Sequence, residues 1–165
     1  MKRLILAVVF LISSLCFAIG NDEFKVIESP NMKENISTIL DINSASKEEM
    51  LRNGISLTYV NKIIEYRDIT GGFENIGELT RINGIGKKTE EKLSKSLKVN
   101  FKPKLKSFNI NTADTKTLIY FGLDKKEIKS IEEYKKKNGK IKSNLQLMEI
   151  LSKEKYNKYK DIVKY

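Results

Sequence analysis

The 165-residue chain contains an internal repeat, and this repeat leaves few folds open. Residues 42–82 align with residues 110–150 at an offset of 68 positions, without a gap. Ten of the aligned pairs are identical: Ile42/Ile110, Asn43/Asn111, Ala45/Ala113, Gly54/Gly122, Ile63/Ile131, Glu65/Glu133, Tyr66/Tyr134, Gly71/Gly139, Leu79/Leu147 and Ile82/Ile150. Composition bias would align lysines, but it would not align glycines together with apolar positions. The sequence therefore predicts a duplicated folding unit.

Each copy of the repeat is predicted to be a run of short helices. Ser46 and Glu49 form a capping box that starts a helix, and apolar residues at helical spacing continue until Gly71 and Gly72 end the second helix. The predicted helices cover about 46–53, 60–70, 76–82 and 87–97 in the first copy, and about 114–121, 125–137, 144–151 and 154–163 in the second. Because few strand signals are present, we expect an all-α fold of two tandem units.

A turn with two glycines around one apolar residue lies between the third and fourth predicted helices, in residues 82–89. Gly84 and Gly86 allow a sharp turn, and Ile85 would anchor it in the core. The amides after Gly86 open the next helix, where backbone donors lack partners and the helix dipole favours an anion, and Lys87 adds positive charge. The segment therefore predicts a phosphate site. The alternatives are an ordinary interhelical turn, which would use the same glycines, and a nucleotide-binding loop, which the spacing does not fit.

Five short motifs follow one another in the first copy: Ile42-Asn43-Ser44-Ala45-Ser46, Asn53-Gly54-Ile55, Ile63-Ile64-Glu65-Tyr66-Arg67, Gly71-Gly72-Phe73 and Ile82-Asn83-Gly84-Ile85-Gly86-Lys87-Lys88-Thr89. In this order and spacing, residues 41–99 resemble the double helix-hairpin-helix domain of ComEA-type competence DNA receptors. In that family, an exported or membrane-tethered protein binds incoming double-stranded DNA without sequence preference, through backbone amides at two hairpins. The resemblance implies that the two tandem units are helix-hairpin-helix units.

The resemblance also implies which residues contact DNA phosphates. They are Gly84, Ile85, Gly86, Lys87, Lys88 and Thr89 in the second hairpin, and Asn53, Gly54 and Ser56 in the first. Ser56 departs from the family pattern, because it stands where the first hairpin would have its second glycine. The second unit departs further, since it has Ser152-Lys153-Glu154 in place of the Gly-Ile-Gly turn. We therefore expect the second unit to be a degenerate copy without an amide cradle.

Positive charge is concentrated in the second unit. Residues 101–165 hold 17 lysines against 8 acidic side chains, whereas residues 21–100 hold 12 basic against 13 acidic side chains. Lysine is a hydrated point charge that suits phosphate attraction better than base reading. We expect an auxiliary basic face that consists of Lys92, Lys135, Lys136, Lys137, Lys140 and Lys142. The alternative is an ordinary solvated lysine surface.

Composition excludes several kinds of catalytic site. The chain has no histidine, and its single cysteine, Cys16, lies in an apolar N-terminal run. Metal sites built on histidine or cysteine, Ser-His-Asp triads and thiol nucleophiles are therefore excluded from the rest of the chain. The acidic residues are scattered, whereas a metal-dependent nuclease needs clustered carboxylates. We expect a protein that is not an enzyme, with no cofactor, no metal and no small-molecule substrate.

The N-terminus has the features of an export signal. Lys2 and Arg3 precede an uncharged run that is apolar at its start, and Ala18 offers a cleavage site. We expect an exported protein, periplasmic or extracellular, that is membrane-anchored if the signal is not cleaved. The predicted parts are a signal peptide over 1–18, a polar leader over 19–40, the DNA-binding domain over 41–99, a basic linker over 100–107 and the lysine-rich second unit over 108–165.

Together these features predict an exported protein that binds double-stranded DNA without sequence preference and serves in DNA uptake. Such a role implies partners in an uptake channel or pilus. The alternative is an exported envelope scaffold that uses the same fold for contacts with other proteins and binds no DNA. The near-neutral first unit and the degenerate second unit favour that alternative.

Overall fold

The computed structural model describes residues 38–165, in which the secondary structure is mostly helical. The first half contains β1 (Leu40–Asp41), α1 (Lys47–Arg52), α2 (Leu57–Thr70), a 3₁₀ helix (Ile76–Arg81), α3 (Lys87–Leu93) and β2 (Leu97–Lys98). The second half contains β3 (Phe108–Asn109), α4 (Thr115–Tyr120), α5 (Lys125–Asn138), α6 (Asn144–Ile150), α7 (Lys153–Tyr159) and β4 (Val163–Lys164). The all-α prediction is therefore confirmed. The predicted signal peptide and most of the polar leader lie outside the described residues.

The two halves have the same order of elements. Helices α1 and α4 begin and end 68 positions apart, as do α2 and α5. Between α3 and α7 the offset falls to 66, because the connection before the last helix shortens from five residues to two while α6 is one residue longer than the 3₁₀ helix. The second half therefore has the architecture of the first with a shortened second hairpin.

Short parallel strand pairs join the beginning and the end of each half, and helical periodicity did not reveal them. Leu40 pairs with Leu97 in the first half, and Phe108 pairs with Val163 in the second. The predictions of helices to positions 97 and 163 were wrong, since α3 ends at Leu93 and α7 ends at Tyr159. Leu97 and Val163 are buried nonetheless, so their apolar character fits a strand as well as a helix.

The two halves pack against each other as one compact unit. Tyr120 from the second half is buried in the core of the first, with its ring centroid 5.0 Å from that of Tyr66. The Tyr66 hydroxyl donates a hydrogen bond to the Tyr120 carbonyl at 3.0 Å. The predicted basic linker is also packed, since the Lys106 amide donates to the carbonyl of Thr70, at the end of α2, at 2.8 Å. The halves share their buried surface and do not form independent domains.

Paired asparagines explain one of the identities in the repeat. The Asn43 side chain donates to the Phe73 carbonyl at 2.9 Å and accepts from the Phe73 amide at 2.7 Å. Asn111 makes the same two bonds with Ile141, at 2.8 and 2.9 Å. Each asparagine therefore fixes the segment that follows the long helix of its half and leads into the next helix.

Candidate nucleic-acid interface

The second hairpin, residues 82–86, is a sharp turn anchored in the core. Gly84 has a φ of +86°, a left-handed conformation that favours glycine. The Ile85 side chain is only 2% exposed, and its amide donates to the Ile82 carbonyl at 2.9 Å. Gly86 follows in an extended conformation as the N-cap of α3, and no atom lies within 4 Å of where a Cβ would be. The turn therefore leaves open space in front of the helix start.

Three consecutive amides at this helix start are unsatisfied. In the part of the chain that the structure describes, the amides of Gly86, Lys87 and Lys88 donate to no acceptor. The Thr89 amide is the first that does, to the Gly86 carbonyl at 3.0 Å. Exposed backbone donors at a helix N-terminus favour an anionic acceptor. The hairpin can therefore receive a phosphate oxygen without any rearrangement of side chains.

The first hairpin, residues 53–56, has the same geometry although its last residue is serine. Gly54 has a φ of +81°, and the Ile55 side chain is buried. Ser56 is the N-cap of α2, and its hydroxyl makes no capping hydrogen bond. Among residues 38–165, no acceptor is present for the amides of Ser56, Leu57 and Thr58. Ser56 therefore leaves the amides open, as Gly86 does.

The matching helix starts in the second half carry side-chain caps, which the two helix starts of the first half lack. Asp124, the N-cap of α5, accepts from the Glu127 amide at 2.8 Å, and the Glu127 carboxylate accepts from the Asp124 amide at 2.9 Å. Ser152, the N-cap of α7, accepts from the Lys155 amide at 3.4 Å. A carboxylate already occupies the place that an incoming anion would take on α5. The second half therefore keeps the scaffold with side-chain caps at both helix starts, although the amides of Lys125, Lys126, Lys153 and Glu154 have no acceptor among the described residues.

The first half also covers the first hairpin of the second half. A Cβ on Gly122 would lie 2.7 Å from the guanidinium of Arg81, which belongs to the first half. Within the second half, the Lys155 ammonium group donates to the Gly122 carbonyl. This hairpin is therefore a contact surface between the halves, in contrast to the exposed turn around Gly54.

The predicted phosphate-contact residues have different roles in the structure. Asn53 is already engaged, because its side chain donates to the Thr38 carbonyl at 2.8 Å and its amide donates to Glu49 at 3.0 Å. Ile85 anchors the turn, and the Thr89 amide is part of the helix. The contacts available to an anion are therefore the open amides of the two hairpins.

Positive side chains surround the second hairpin. Lys87 is paired with the buried carboxylate of Glu90 at 2.5 Å, and this hydrogen bond raises the pKa of Lys87. Lys88 and Lys92 are exposed on the same helix. Lys88 and Lys92 therefore add positive charge to the helix that the open amides begin, which favours an anion.

One lysine of the predicted auxiliary basic face also contacts the backbone. The Lys135 ammonium group donates to the Asn111 carbonyl at 3.1 Å and is half-buried, so it supports the fold of the second half. Lys136, Lys137, Lys140 and Lys142 are exposed. Arg67, at the position that matches Lys135 in the first half, makes the same kind of bond to the Ala45 carbonyl at 2.9 Å.

Sequence analysis missed one residue at the second hairpin. Lys62 is on α2, and its ammonium group donates to the Asn83 carbonyl at 2.6 Å. The two residues are 21 positions apart, and neither helical periodicity nor the hairpin motif links them. Only the packing of α2 against the hairpin brings Lys62 to this place.

Within residues 38–165, the structure has no group of three or more acidic or cysteine side chains that could hold a metal ion. The same residues include no helix that is both long and apolar enough to cross a membrane.

The difference between uncapped and capped helix starts predicts a difference in stability effects. Asp124→Ala is expected to lower the free energy of unfolding by about 1 kcal/mol, because it removes a capping hydrogen bond. Ser56→Ala is expected to change it by less than about 0.5 kcal/mol, because Ser56 makes no such bond. Urea denaturation of both full-length variants measures the two values. Equal losses would contradict the assignment of Ser56 as an unused cap.

Comparison with known proteins agrees with this geometry. Residues 36–98 match a family model described as a helix-hairpin-helix motif. The chain is 36% identical over 62 residues to ComE operon protein 1 of Bacillus subtilis (strain 168), a match that covers 37% of this chain and 30% of that protein. No solved structure matches the chain.

Longer matches extend beyond the helix-hairpin-helix segment. The chain is 29% identical over 130 residues to endonuclease/exonuclease/phosphatase family domain-containing protein 1 of Danio rerio, and 25% identical over 133 residues to the Xenopus laevis protein of that name. Each match covers 67% of this chain but only 24% of the relative, so the chain spans about a quarter of the length of these curated relatives. Residues 36–98 therefore form a helix-hairpin-helix domain that is similar to part of ComE operon protein 1.

Proposed function

We propose that this protein binds double-stranded DNA without sequence preference, and that the backbone amides of its two first-half hairpins hold phosphates. The observation that carries the proposal is the pair of helix starts at Ser56 and Gly86, where consecutive amides are exposed and unsatisfied. Backbone amides and lysines contact phosphates and do not read base edges, so such binding is independent of sequence. The similarity to ComE operon protein 1 also supports this function.

Catalysis is not part of the proposed function. Some relatives are named for an endonuclease/exonuclease/phosphatase family domain, but the matches cover 24% of those proteins. The hairpin amides are hydrogen-bond donors and supply neither a nucleophile nor a base. A nuclease assay with a plasmid substrate and divalent metal is expected to leave the DNA uncut.

In this proposal, the protein acts in DNA uptake outside the cytoplasm, and its partners are components of a channel or a pilus. The export-like N-terminal sequence supports this location. Mass spectrometry of the protein from a cell-envelope fraction is expected to find a mature chain that begins after Ala18. Retention of the full chain in the cytoplasm would contradict the location and leave DNA binding unaffected.

A gel shift with the full chain tests DNA binding directly. Two duplexes of unrelated sequence are expected to shift equally at low salt, with dissociation constants of about 10⁻⁴ to 10⁻⁶ M at physiological salt. No shift of either duplex would favour the envelope scaffold. A strong preference for one duplex would contradict sequence-independent binding.

The exposed lysines of the second half are expected to contribute charge without amide contacts. Replacing Lys136, Lys137, Lys140 and Lys142 with glutamine should reduce the slope of log K against log salt by roughly 3.6, because each lost phosphate contact contributes about 0.9. A control set at the capped helix starts of the second half, Lys125, Lys126 and Lys153, should change the slope less. An unaltered slope in the first set would show that these lysines are an ordinary solvated surface.

Substitution is a cleaner test of the second half than truncation. Tyr120 is buried in the core of the first half, and Lys116 and Lys158 form ion pairs with Glu65 and Glu74. Removing residues 101–165 would expose that core and disturb the hairpins themselves. The full chain therefore has to be kept in every binding measurement.

A further inference from the structure

Lys62 is on the helix that follows the first hairpin, yet its side chain reaches the second hairpin. Its ammonium nitrogen donates to the Asn83 carbonyl at 2.6 Å. A Cβ on Gly84 would lie 3.0 Å from the same nitrogen. A positive group is therefore held against the turn that leads into the open amides at Gly86.

The charge of Lys62 is not neutralised by a neighbouring carboxylate. No ion pair involves Lys62 in the described part of the chain, whereas Lys87 is paired with Glu90. A lysine ammonium group has three donors, and the Asn83 carbonyl uses one of them. Two donors and the full charge therefore remain for an anion at this hairpin.

The second half has lost both this cation and the turn that it contacts. Ser130 stands 68 positions after Lys62, and its hydroxyl donates to the Lys126 carbonyl of its own helix at 3.0 Å. Residues 151–152 replace the five-residue turn, so Asn83 has no counterpart there. The second half folds without a cation at this position. The contact between Lys62 and Asn83 therefore accompanies the second hairpin and is not needed for the fold that the two halves share.

We propose that Lys62 is a phosphate-binding residue of the second hairpin. It holds the turn through Asn83 and offers its remaining donors to the same phosphate that the open amides bind. The inference rests on the proposed DNA binding and deepens it. Lys62 lies in the second turn of α2, and the first turn of the same helix carries open amides of the first hairpin. One helix thereby connects the two phosphate sites.

Salt-dependent duplex binding by the full chain tests this role. Lys62→Met is expected to weaken binding equally for all sequences and to reduce the slope of log K against log salt by about 1. Lys62→Arg retains the charge and is expected to retain the slope. Lys47→Met is the control, because Lys47 is exposed in the first turn of α1, at the opposite end of that helix from the first hairpin.

The outcomes separate this inference from the proposed function. Absence of binding by the unsubstituted chain would overturn both. Binding by the unsubstituted chain with an unchanged slope in Lys62→Met would overturn the phosphate contact alone, whether or not the affinity falls. If circular dichroism shows that Lys62→Met is unfolded, Lys62→Gln replaces it, because glutamine keeps a donor for Asn83 and removes the charge.

Discussion

Gly86→Asp is expected to weaken duplex DNA binding by roughly a hundredfold while the protein remains as stable as before. The aspartate would cap the open amides with its own carboxylate, as Asp124 does in the second half. Losing two charge-assisted hydrogen bonds of about 1.5 kcal/mol each corresponds to this factor. Aspartate is as good an N-cap as glycine or better, so the free energy of unfolding should stay equal or rise by a few tenths of a kcal/mol.

Two controls separate capping from charge and shape. Asn157→Asp adds the same charge on the exposed surface of α7 and should leave DNA affinity nearly unchanged. Gly86→Ala fills the space with a methyl group but leaves the amides uncapped, so it should weaken binding less than Gly86→Asp. A Gly86→Asp variant that is folded and binds DNA with full affinity would contradict the hairpin mechanism. Gly84 is a poorer test position, because its left-handed φ strains any substitute.

Arg81→Met is expected to lower the free energy of unfolding by about 3 kcal/mol, the largest stability effect of a single polar substitution that we predict. The Arg81 guanidinium pairs with Glu78 at 3.1 Å and donates to the Tyr120 carbonyl at 3.2 Å. Glu78 is 4% exposed, so its charge would remain buried without its cation. The Tyr66 hydroxyl is 3.1 Å from a Glu78 carboxylate oxygen, but it has a single proton, for which the Tyr120 carbonyl competes at 3.0 Å. Burial raises the pKa of Tyr66, which keeps this hydroxyl protonated.

Urea unfolding of the full chain measures this effect. Lys129→Met is the matched control, because Lys129 and Glu133 form an exposed pair at 3.5 Å that should contribute less than about 0.5 kcal/mol. Adding Glu78→Gln to Arg81→Met should recover part of the lost stability, since it removes the uncompensated charge. A loss in Arg81→Met no larger than that of the control would contradict the role of this network in joining the two halves.

The helical architecture and the second hairpin could be predicted from sequence because local patterns determine them. The capping box of Ser46 and Glu49 is present as expected, and the apolar residue between the two glycines is buried. The altered second hairpin of the second unit could also be predicted, because the loss of the Gly-Ile-Gly turn is visible in the sequence. Asp124 and Glu127 form a capping-box pattern that could have been recognised in the same way.

The features that could not be predicted depend on contacts between distant residues. Two-residue strands carry too little pattern to be distinguished from the last turn of a helix, so the pairing of Leu40 with Leu97 was missed. The contact of Lys62 with Asn83 and the burial of Tyr120 in the first core depend on tertiary packing. The contact of Lys135 with the Asn111 carbonyl was missed as well, because charge alone does not show whether a lysine donates to a backbone carbonyl.

The most direct test of the amide mechanism is a titration of the isotope-labelled full chain with duplex DNA, followed by the backbone amide signals in NMR spectra. The largest shifts are expected at the open amides of both first-half hairpins, at Ser56, Leu57 and Thr58 and at Gly86, Lys87 and Lys88. The amides that follow Asp124 and Ser152 should shift less, because these helix starts carry side-chain caps. Shifts concentrated at those second-half helix starts, with the first-half hairpins unaffected, would contradict the account.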